Sequence, residues 1–89
     1  MKALGNYIDG HFWPPSGGGY LDDIEPATGQ TIAHVPDSGH HDVAQAVAAA
    51  GQAFPGWSER SAGERIGLIE RLAALIERDA ERLARLESA

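Results

Sequence analysis

The sequence predicts an α/β protein that is α+β within these 89 residues, with strands and turns over residues 1–37 and two to three helices over residues 38–89. Three observations support this prediction. An Asp-Gly pair at residues 9–10 lies between two short apolar runs, residues 30–35 alternate in polarity, and apolar residues recur at helical spacing from residue 43 onward. A period of two is typical of strands, and a period of about 3.6 is typical of amphipathic helices.

Composition places the chain among globular proteins and excludes several function classes. Hydrophobic residues make up 43% and charged residues 22%, which disfavours disorder. The formal net charge is -6, and the basic residues lie mostly among acidic ones between Glu59 and Glu87, so we expect no nucleic acid partner. The chain has no cysteine, which excludes disulfides, thiolate metal sites and cysteine nucleophiles within these residues.

Hydropathy indicates no membrane partner. No stretch approaches the roughly 18 apolar residues of a membrane-spanning helix. Residues 1–7 lack the apolar core of a signal peptide. We therefore expect a cytoplasmic location.

The first strands are predicted to form a hairpin, because both positions of the Asp-Gly pair tolerate the positive φ of a two-residue turn. Residues 14–19, Pro-Pro-Ser-Gly-Gly-Gly, break any ladder and predict a surface loop. A phosphate cradle would need a helix directly behind the glycines. A strand with two acids, Asp22 and Asp23, follows instead, so we interpret the glycines as a flexible turn.

A second strand pair is predicted around the turn at residues 25–30. Pro26 presets φ for its first corner, and Gly29 can adopt a left-handed conformation without steric cost. The alternating stretch that follows stops at Pro36, since proline cannot donate a ladder hydrogen bond. We expect two strands joined by this turn.

The first helix is predicted to begin after Asp37 or Ser38, since either side chain is a good N-cap. Its apolar stripe consists of Val43, Ala46, Val47, Ala50 and Phe54. The small residues would let another layer approach closely, with Phe54 as the anchor. The Pro-Gly pair at residues 55–56 is predicted to end the helix, and Trp57 to cover that end and pack on the next helix.

The second helix is predicted to begin at a capping box, in which Ser61 and Glu64 each bond the other's backbone amide. From Ile66 to Ile76 the apolar residues cover a wider part of the helix circumference than the stripe of a surface helix does. This pattern predicts burial on more than one side. A chain of this size has little material for two covering layers. We therefore expect a piece of a larger protein.

A polar interruption at residues 77–79 predicts a third helix or a bent continuation of the second. Glu81 and Arg85 stand at a favourable i, i+4 spacing within it. The helical pattern reaches Ala89 without a glycine or proline stop signal, so we expect a truncation there.

No catalytic, cofactor-binding or metal-binding residue is predicted in this chain. The four histidines are His11, His34, His40 and His41. His40 and His41 are adjacent, and adjacent residues on a helix seldom bind one metal ion together. We therefore expect both to be exposed in the first helical turn. The acids and arginines between Glu59 and Glu87 alternate in sign, which is typical of a solvated surface.

Taken in order, several motifs resemble the opening of an aldehyde dehydrogenase. They are Pro-Ala-Thr-Gly at 26–29, Asp-Val at 42–43 with Ala-Val at 46–47, Phe-Pro-Gly-Trp at 54–57 and Glu-Arg at 64–65. The resemblance runs from about Tyr7 to the last residue. Departures from the family pattern stand at Glu25, Gly39, Gly51 and Gly67.

The resemblance implies the N-terminal part of a Rossmann-like cofactor-binding domain, in an oxidoreductase that oxidises an aldehyde to a carboxylic acid with NAD or NADP. It also implies a catalytic cysteine, asparagine and glutamate. None of these can be placed here, so the segment is predicted to be structural and inactive alone. The implied partners are the remainder of the dehydrogenase chain and, at full length, a homo-oligomer.

One alternative stays open. The same apolar helices could form the interface of a small interaction or oligomerisation module without enzymatic activity.

Overall fold

The computed structural model describes residues 2–89. It contains five strands and three helices, and so confirms the α+β organisation predicted from the sequence. The elements are β1 (Lys2–Ala3), β2 (Asn6–Ile8), β3 (His11–Trp13), β4 (Tyr20–Ile24), β5 (Thr31–Pro36), α1 (His40–Ser58), α2 (Ala62–Arg78) and α3 (Ala80–Ser88). The chain forms two compact units, whose boundary lies between Ala53 and Phe54 within α1.

A three-stranded sheet with the order β1-β5-β4 belongs to the first unit. β4 and β5 are antiparallel, and β1 is parallel to β5, with Lys2 opposite Ala33 and Ala3 opposite His34. The Leu4 N–H extends this pairing by donating to the His34 carbonyl at 2.8 Å. Sequence analysis did not identify β1, because a strand of two residues is too short to show a period of two.

The predicted hairpin is confirmed, with β2 and β3 antiparallel around residues 9–10. Asp9 has φ 53° and Gly10 has φ 78°, as a turn with two left-handed positions requires. Across the strands, the rings of Tyr7 and Phe12 meet edge to face at a centroid distance of 4.9 Å. Such cross-strand aromatic pairs stabilise a hairpin whose strands are only three residues long.

The predicted turn between β4 and β5 is also confirmed. Gly29 takes φ 73°, and its N–H donates to the Glu25 carbonyl at 2.8 Å. The Glu25 N–H donates to the Gln30 carbonyl at 2.8 Å, and the Thr28 hydroxyl donates to the Glu25 carboxylate at 3.0 Å. Backbone and side chains together therefore specify the reversal.

The start of α1 differs from the expectation that Asp37 or Ser38 caps it. The Gly39 carbonyl accepts the first helical bond from Val43 at 3.2 Å, and the Asp42 carboxylate reaches back to the Gly39 N–H at 3.1 Å. This is the acidic half of a capping box. Ser38 is unavailable as a cap because its hydroxyl exchanges two hydrogen bonds with the Asn6 amide, at 2.7 and 3.1 Å.

The prediction that the Pro-Gly pair at residues 55–56 ends α1 is wrong, since the helix continues to Ser58. Proline lacks only its own N–H, and its carbonyl still accepts. The Glu59 N–H donates to the Pro55 carbonyl at 3.1 Å, and the Ser58 hydroxyl donates to it at 3.1 Å. The last turn is therefore closed downstream of the proline, and Trp57 lies within it.

The predicted start of α2 is confirmed at Ser61, whose hydroxyl accepts from the Glu64 N–H at 3.2 Å. The hydrogen bonds of the described residues do not include the reciprocal one from Ser61 to the Glu64 carboxylate. The polar interruption ends α2 at Arg78, and a separate helix α3 begins at Ala80. Asp79 lies between them with φ -100° and ψ 13°, outside the α region.

Burial is confined to a small cluster in the first unit. Among the described residues, only Ile8, Pro15 and Asp42 are buried, with Ile8 8% and Asp42 5% exposed. Phe54, the expected anchor of α1, is 65% exposed. Phe54 therefore does not anchor α1 on any other part of the described chain.

We predict that Gly29→Ala destabilises the chain by about 1 kcal/mol, because a Cβ is unfavourable at its positive φ. Gly17→Ala is the matched control. Gly17 lies outside the positive-φ region, and a Cβ added there has no heavy atom within 4 Å. Gly17→Ala should therefore change the free energy of unfolding of the chain by less than about 0.5 kcal/mol. Urea unfolding followed by circular dichroism measures both, and equal losses would contradict the assignment.

We predict opposite effects for two substitutions in α2. Ser61→Ala removes the acceptor for the Glu64 N–H and lowers stability by about 1 kcal/mol. Gly67→Ala raises it by about 0.5–1 kcal/mol, because the site is an exposed helix interior with open space around it. Ellipticity at 222 nm in the absence of urea reports both changes as a lower or a higher helix content, and a loss for Gly67→Ala would contradict the expected helix.

Candidate functional site

Asp42 carries the only buried ionisable side chain among the described residues. It accepts from the Ser16 N–H at 3.0 and 3.3 Å and from the Gly39 N–H at 3.1 Å. Burial raises the pKa of Asp42, but these hydrogen bonds and the nearby His41 outweigh it, so the pKa lies below its ordinary value. A general base needs a reachable carboxylate with a pKa near the working pH, and the buried Asp42 with its lowered pKa has neither property.

Sequence analysis did not identify Asp42 as a contact residue. One half of its role has a local signal, because an acidic residue three positions after Gly39 is the pattern of a capping box. The other half has none, since Ser16 lies 26 positions away. Only the folded chain brings that loop to the helix.

The four histidines lie in separate places. His40 and His41 are exposed in the first turn of α1, as predicted. His34 Nδ1 lies 3.0 Å from the Asp22 carboxylate across the β4–β5 ladder, and the ring of His11 contacts that of Trp13 edge to face. Across residues 2–89, no group of three or more histidine or acidic side chains is arranged to hold a metal ion.

The glycine loop before β4 does not fit a dinucleotide. Gly18 has φ 74°, and its N–H donates to the Pro15 carbonyl at 2.9 Å, which makes a tight turn. A strand follows, and this strand carries Asp22 and Asp23. A pyrophosphate site needs the free N–H groups of a helix N-terminus, and two carboxylates would repel the phosphates. The predicted flexible turn therefore remains the better interpretation of this loop.

Charged side chains at the junction of α2 and α3 pair with one another. Arg78 donates two hydrogen bonds to the Asp79 carboxylate, at 3.2 and 3.1 Å, and Arg82 donates one at 3.4 Å. The hydrogen bonds from Arg78 are the main reason that the pKa of Asp79 lies below its ordinary value. The predicted pair of Glu81 and Arg85 is formed. These groups have the character of a solvated surface.

The second unit exposes a broad apolar surface. Trp57 lies beside the first turns of α2, as predicted, and is 39% exposed. A shallow recess there is lined by Trp57, Ala62, Arg65, Ile66, Ile69 and Glu70. Six large side chains of α2 are between 39% and 56% exposed, namely Ile66, Leu68, Ile69, Leu72, Leu75 and Ile76. This number of exposed large apolar side chains on one helix is typical of a surface that other protein covers.

None of the helices within residues 2–89 is long and apolar enough to cross a membrane.

Comparison with known proteins gives consistent matches over nearly the whole chain. A 2-aminomuconic semialdehyde dehydrogenase of Bos taurus is 49% identical over 88 residues, and that of Homo sapiens is 44% identical over 88 residues. Each alignment covers 99% of this chain and 18% of the relative. The chain therefore spans less than a fifth of the length of these relatives.

A solved structure agrees with the sequence matches. The crystal structure of PnpE in complex with nicotinamide adenine dinucleotide superposes with a TM-score of 0.89 and 42% identity, covering 98% of this chain and 18% of PnpE. Residues 13–89 match the pattern of the aldehyde dehydrogenase family. Because this match extends over most of the sequence, the chain belongs to the aldehyde dehydrogenase family.

Proposed function

We propose that these 89 residues form a structural part, at the N-terminal end, of an NAD-dependent enzyme that oxidises an aldehyde to a carboxylic acid. The family match over residues 13–89 carries this proposal. The segment contains no cysteine, and its only glycine triplet does not fit a dinucleotide. Its contribution is therefore scaffolding, and the nucleophile and the cofactor-binding residues belong to other parts of the enzyme.

The exposed apolar surface of α2 supports a scaffolding role. Complete burial of a Leu or Ile side chain contributes about 1.5–3 kcal/mol. Six such side chains on α2 are roughly half exposed, so covering them would contribute on the order of 5 kcal/mol. That is comparable to the whole stability of a small domain. The remainder of a dehydrogenase chain is the partner that we propose for this surface.

Finer features of the enzyme follow as parts of the same proposal. NAD is favoured over NADP because PnpE, at 42% identity, was crystallised with nicotinamide adenine dinucleotide. We place residues 1–89 in one Rossmann-like cofactor-binding domain, with the strands in residues 1–37 and the helices in residues 38–89. We also propose a homo-oligomer, and a cytoplasmic location, with which the absence of cysteine is compatible.

A chimera in which this chain replaces the matched 88 residues of the Bos taurus relative tests the proposed function. We expect aldehyde-dependent NADH formation, followed at 340 nm, of the same order as that of the unmodified relative. Deleting the matched segment should abolish this activity, because the apolar surface of the remaining protein would be left uncovered.

Two comparisons keep the chimera interpretable. A second chimera that carries the matched segment of the Homo sapiens relative controls for the grafting itself. Leu72→Glu in the first chimera should reduce soluble, active enzyme, whereas Arg71→Gln beside it should not, since Leu72 belongs to the apolar surface of α2. An inactive first chimera beside an active second one would contradict the proposal.

We predict that the 89-residue chain alone does not reduce NAD with any aldehyde, and that its helices beyond Ala53 unfold with little cooperativity. Its helices beyond Ala53 lack buried residues among those described, so circular dichroism should show a broad, weakly cooperative transition. A cooperative oligomer in sedimentation experiments would support the interaction module instead. Aldehyde-dependent NADH formation by the chain alone would contradict the scaffolding role.

A further inference from the structure

We propose that the Asp42 carboxylate is an acid-sensitive latch, which holds the loop of residues 14–19 on the start of α1 when charged and releases that loop when protonated. The latch joins two segments that are 26 positions apart in the sequence. It acts on the conformation of the strand-containing unit and is independent of the proposed enzymatic activity.

The geometry requires the charged form. One carboxylate accepts from two backbone N–H groups, those of Ser16 and Gly39, over distances of 3.0 to 3.3 Å. Protonation would add an O–H donor where the neighbours are donors as well, and would leave fewer acceptor positions. Asp42 is only 5% exposed, so water has little access to replace the lost bonds.

Protonation affects only the loop and the first turn of α1, because the other hydrogen bonds that join these segments contain no acid. Asn6 and Ser38 hold β2 to the segment before α1 through neutral side chains. The Asp37 N–H holds the far end of the loop by donating to the Gly19 carbonyl at 2.9 Å, and this bond is between backbone groups. The latch therefore controls the part of the loop around Pro15 and Ser16, while β2 and Gly19 stay attached.

The surroundings of Asp42 contain few other titratable groups. On α1 these are His40 and His41, and the charge of His41 favours the carboxylate. From β2, Tyr7 lines the same shallow cleft, and Asp37 precedes the helix. The loop itself has no titratable side chain. Because the charge of His41 favours the carboxylate and so opposes release, the transition is assigned to Asp42 itself.

The direction of the pH dependence follows from the lowered pKa. A carboxylate with a depressed pKa stabilises the fold at pH values above its unfolded pKa. The latch is therefore complete above the ordinary value of 3.8 and is lost as the pH falls through the lower value of the folded chain.

Amide hydrogen exchange of the 89-residue chain tests the latch. At neutral pH, Asp42→Asn should speed exchange at Ser16 and Gly39 by roughly tenfold or more, because the amide is uncharged and replaces one of the two acceptor oxygens with an NH2 donor that faces N–H groups. Amides of the β4–β5 ladder should keep their rates. In the unmodified chain, the rate at Ser16, corrected for intrinsic exchange, should rise at acid pH before the ladder amides respond.

Asp37→Asn is the matched control, since Asp37 is exposed and its side chain is outside the latch. It should leave exchange at Ser16 unchanged. The proposal is overturned if Asp42→Asn exchanges at Ser16 like the unmodified chain. It is also overturned if the ladder amides accelerate as much as Ser16, since the carboxylate would then support the whole unit and not the loop.

Discussion

The contact between the Asp42 carboxylate and two backbone N–H groups is the interaction on which the attachment of the loop of residues 14–19 to the start of α1 depends. Ile8 and Pro15 are the only other buried residues among those described, so hydrophobic burial contributes little to the stability of this unit. A buried charge is tolerated only where hydrogen bonds compensate its desolvation. Here they do so and also connect the loop, through Ser16, to the first turn of α1. A shallow cleft lies between the hairpin and the alanine-rich face of that helix, where Ala46 and Ala49 line it.

The helices beyond Ala53 show the reverse balance. Their local structure is well specified, by the Ser61 cap, the pairing of Asp79 with two arginines and the contact of Arg85 with Glu81. The ion pairs are exposed and contribute little to stability, and the Ser61 cap contributes only about 1 kcal/mol. The large apolar side chains of α2 are left partly exposed by the rest of the described chain. Local signals thus shape these helices, whereas their stability depends on protein that covers them, in line with relatives more than five times as long.

Features that depend on near neighbours are predictable from the sequence, whereas both ends of α1 differ from the prediction. The hairpin at residues 9–10, the turn ending at Gly29 and the cap at Ser61 were predictable because each depends on neighbours a few positions apart. The end of α1 lies beyond the predicted residues 55–56 because proline lacks only an N–H donor. The Pro55 carbonyl still accepts a hydrogen bond in the last turn. The cap of α1 was misassigned because Ser38 is engaged by Asn6, which lies 32 positions away.

Local sequence settles where this chain turns, where α2 begins and which chemistry is excluded, because φ preferences, caps and the absence of cysteine need no knowledge of distant residues. It also carries enough ordered motifs to indicate the family. Tertiary structure decides the parallel pairing of β1, the second partner of Asp42 and which apolar faces remain uncovered. These depend on segments that meet only after folding, and no periodicity or spacing records which segments those are.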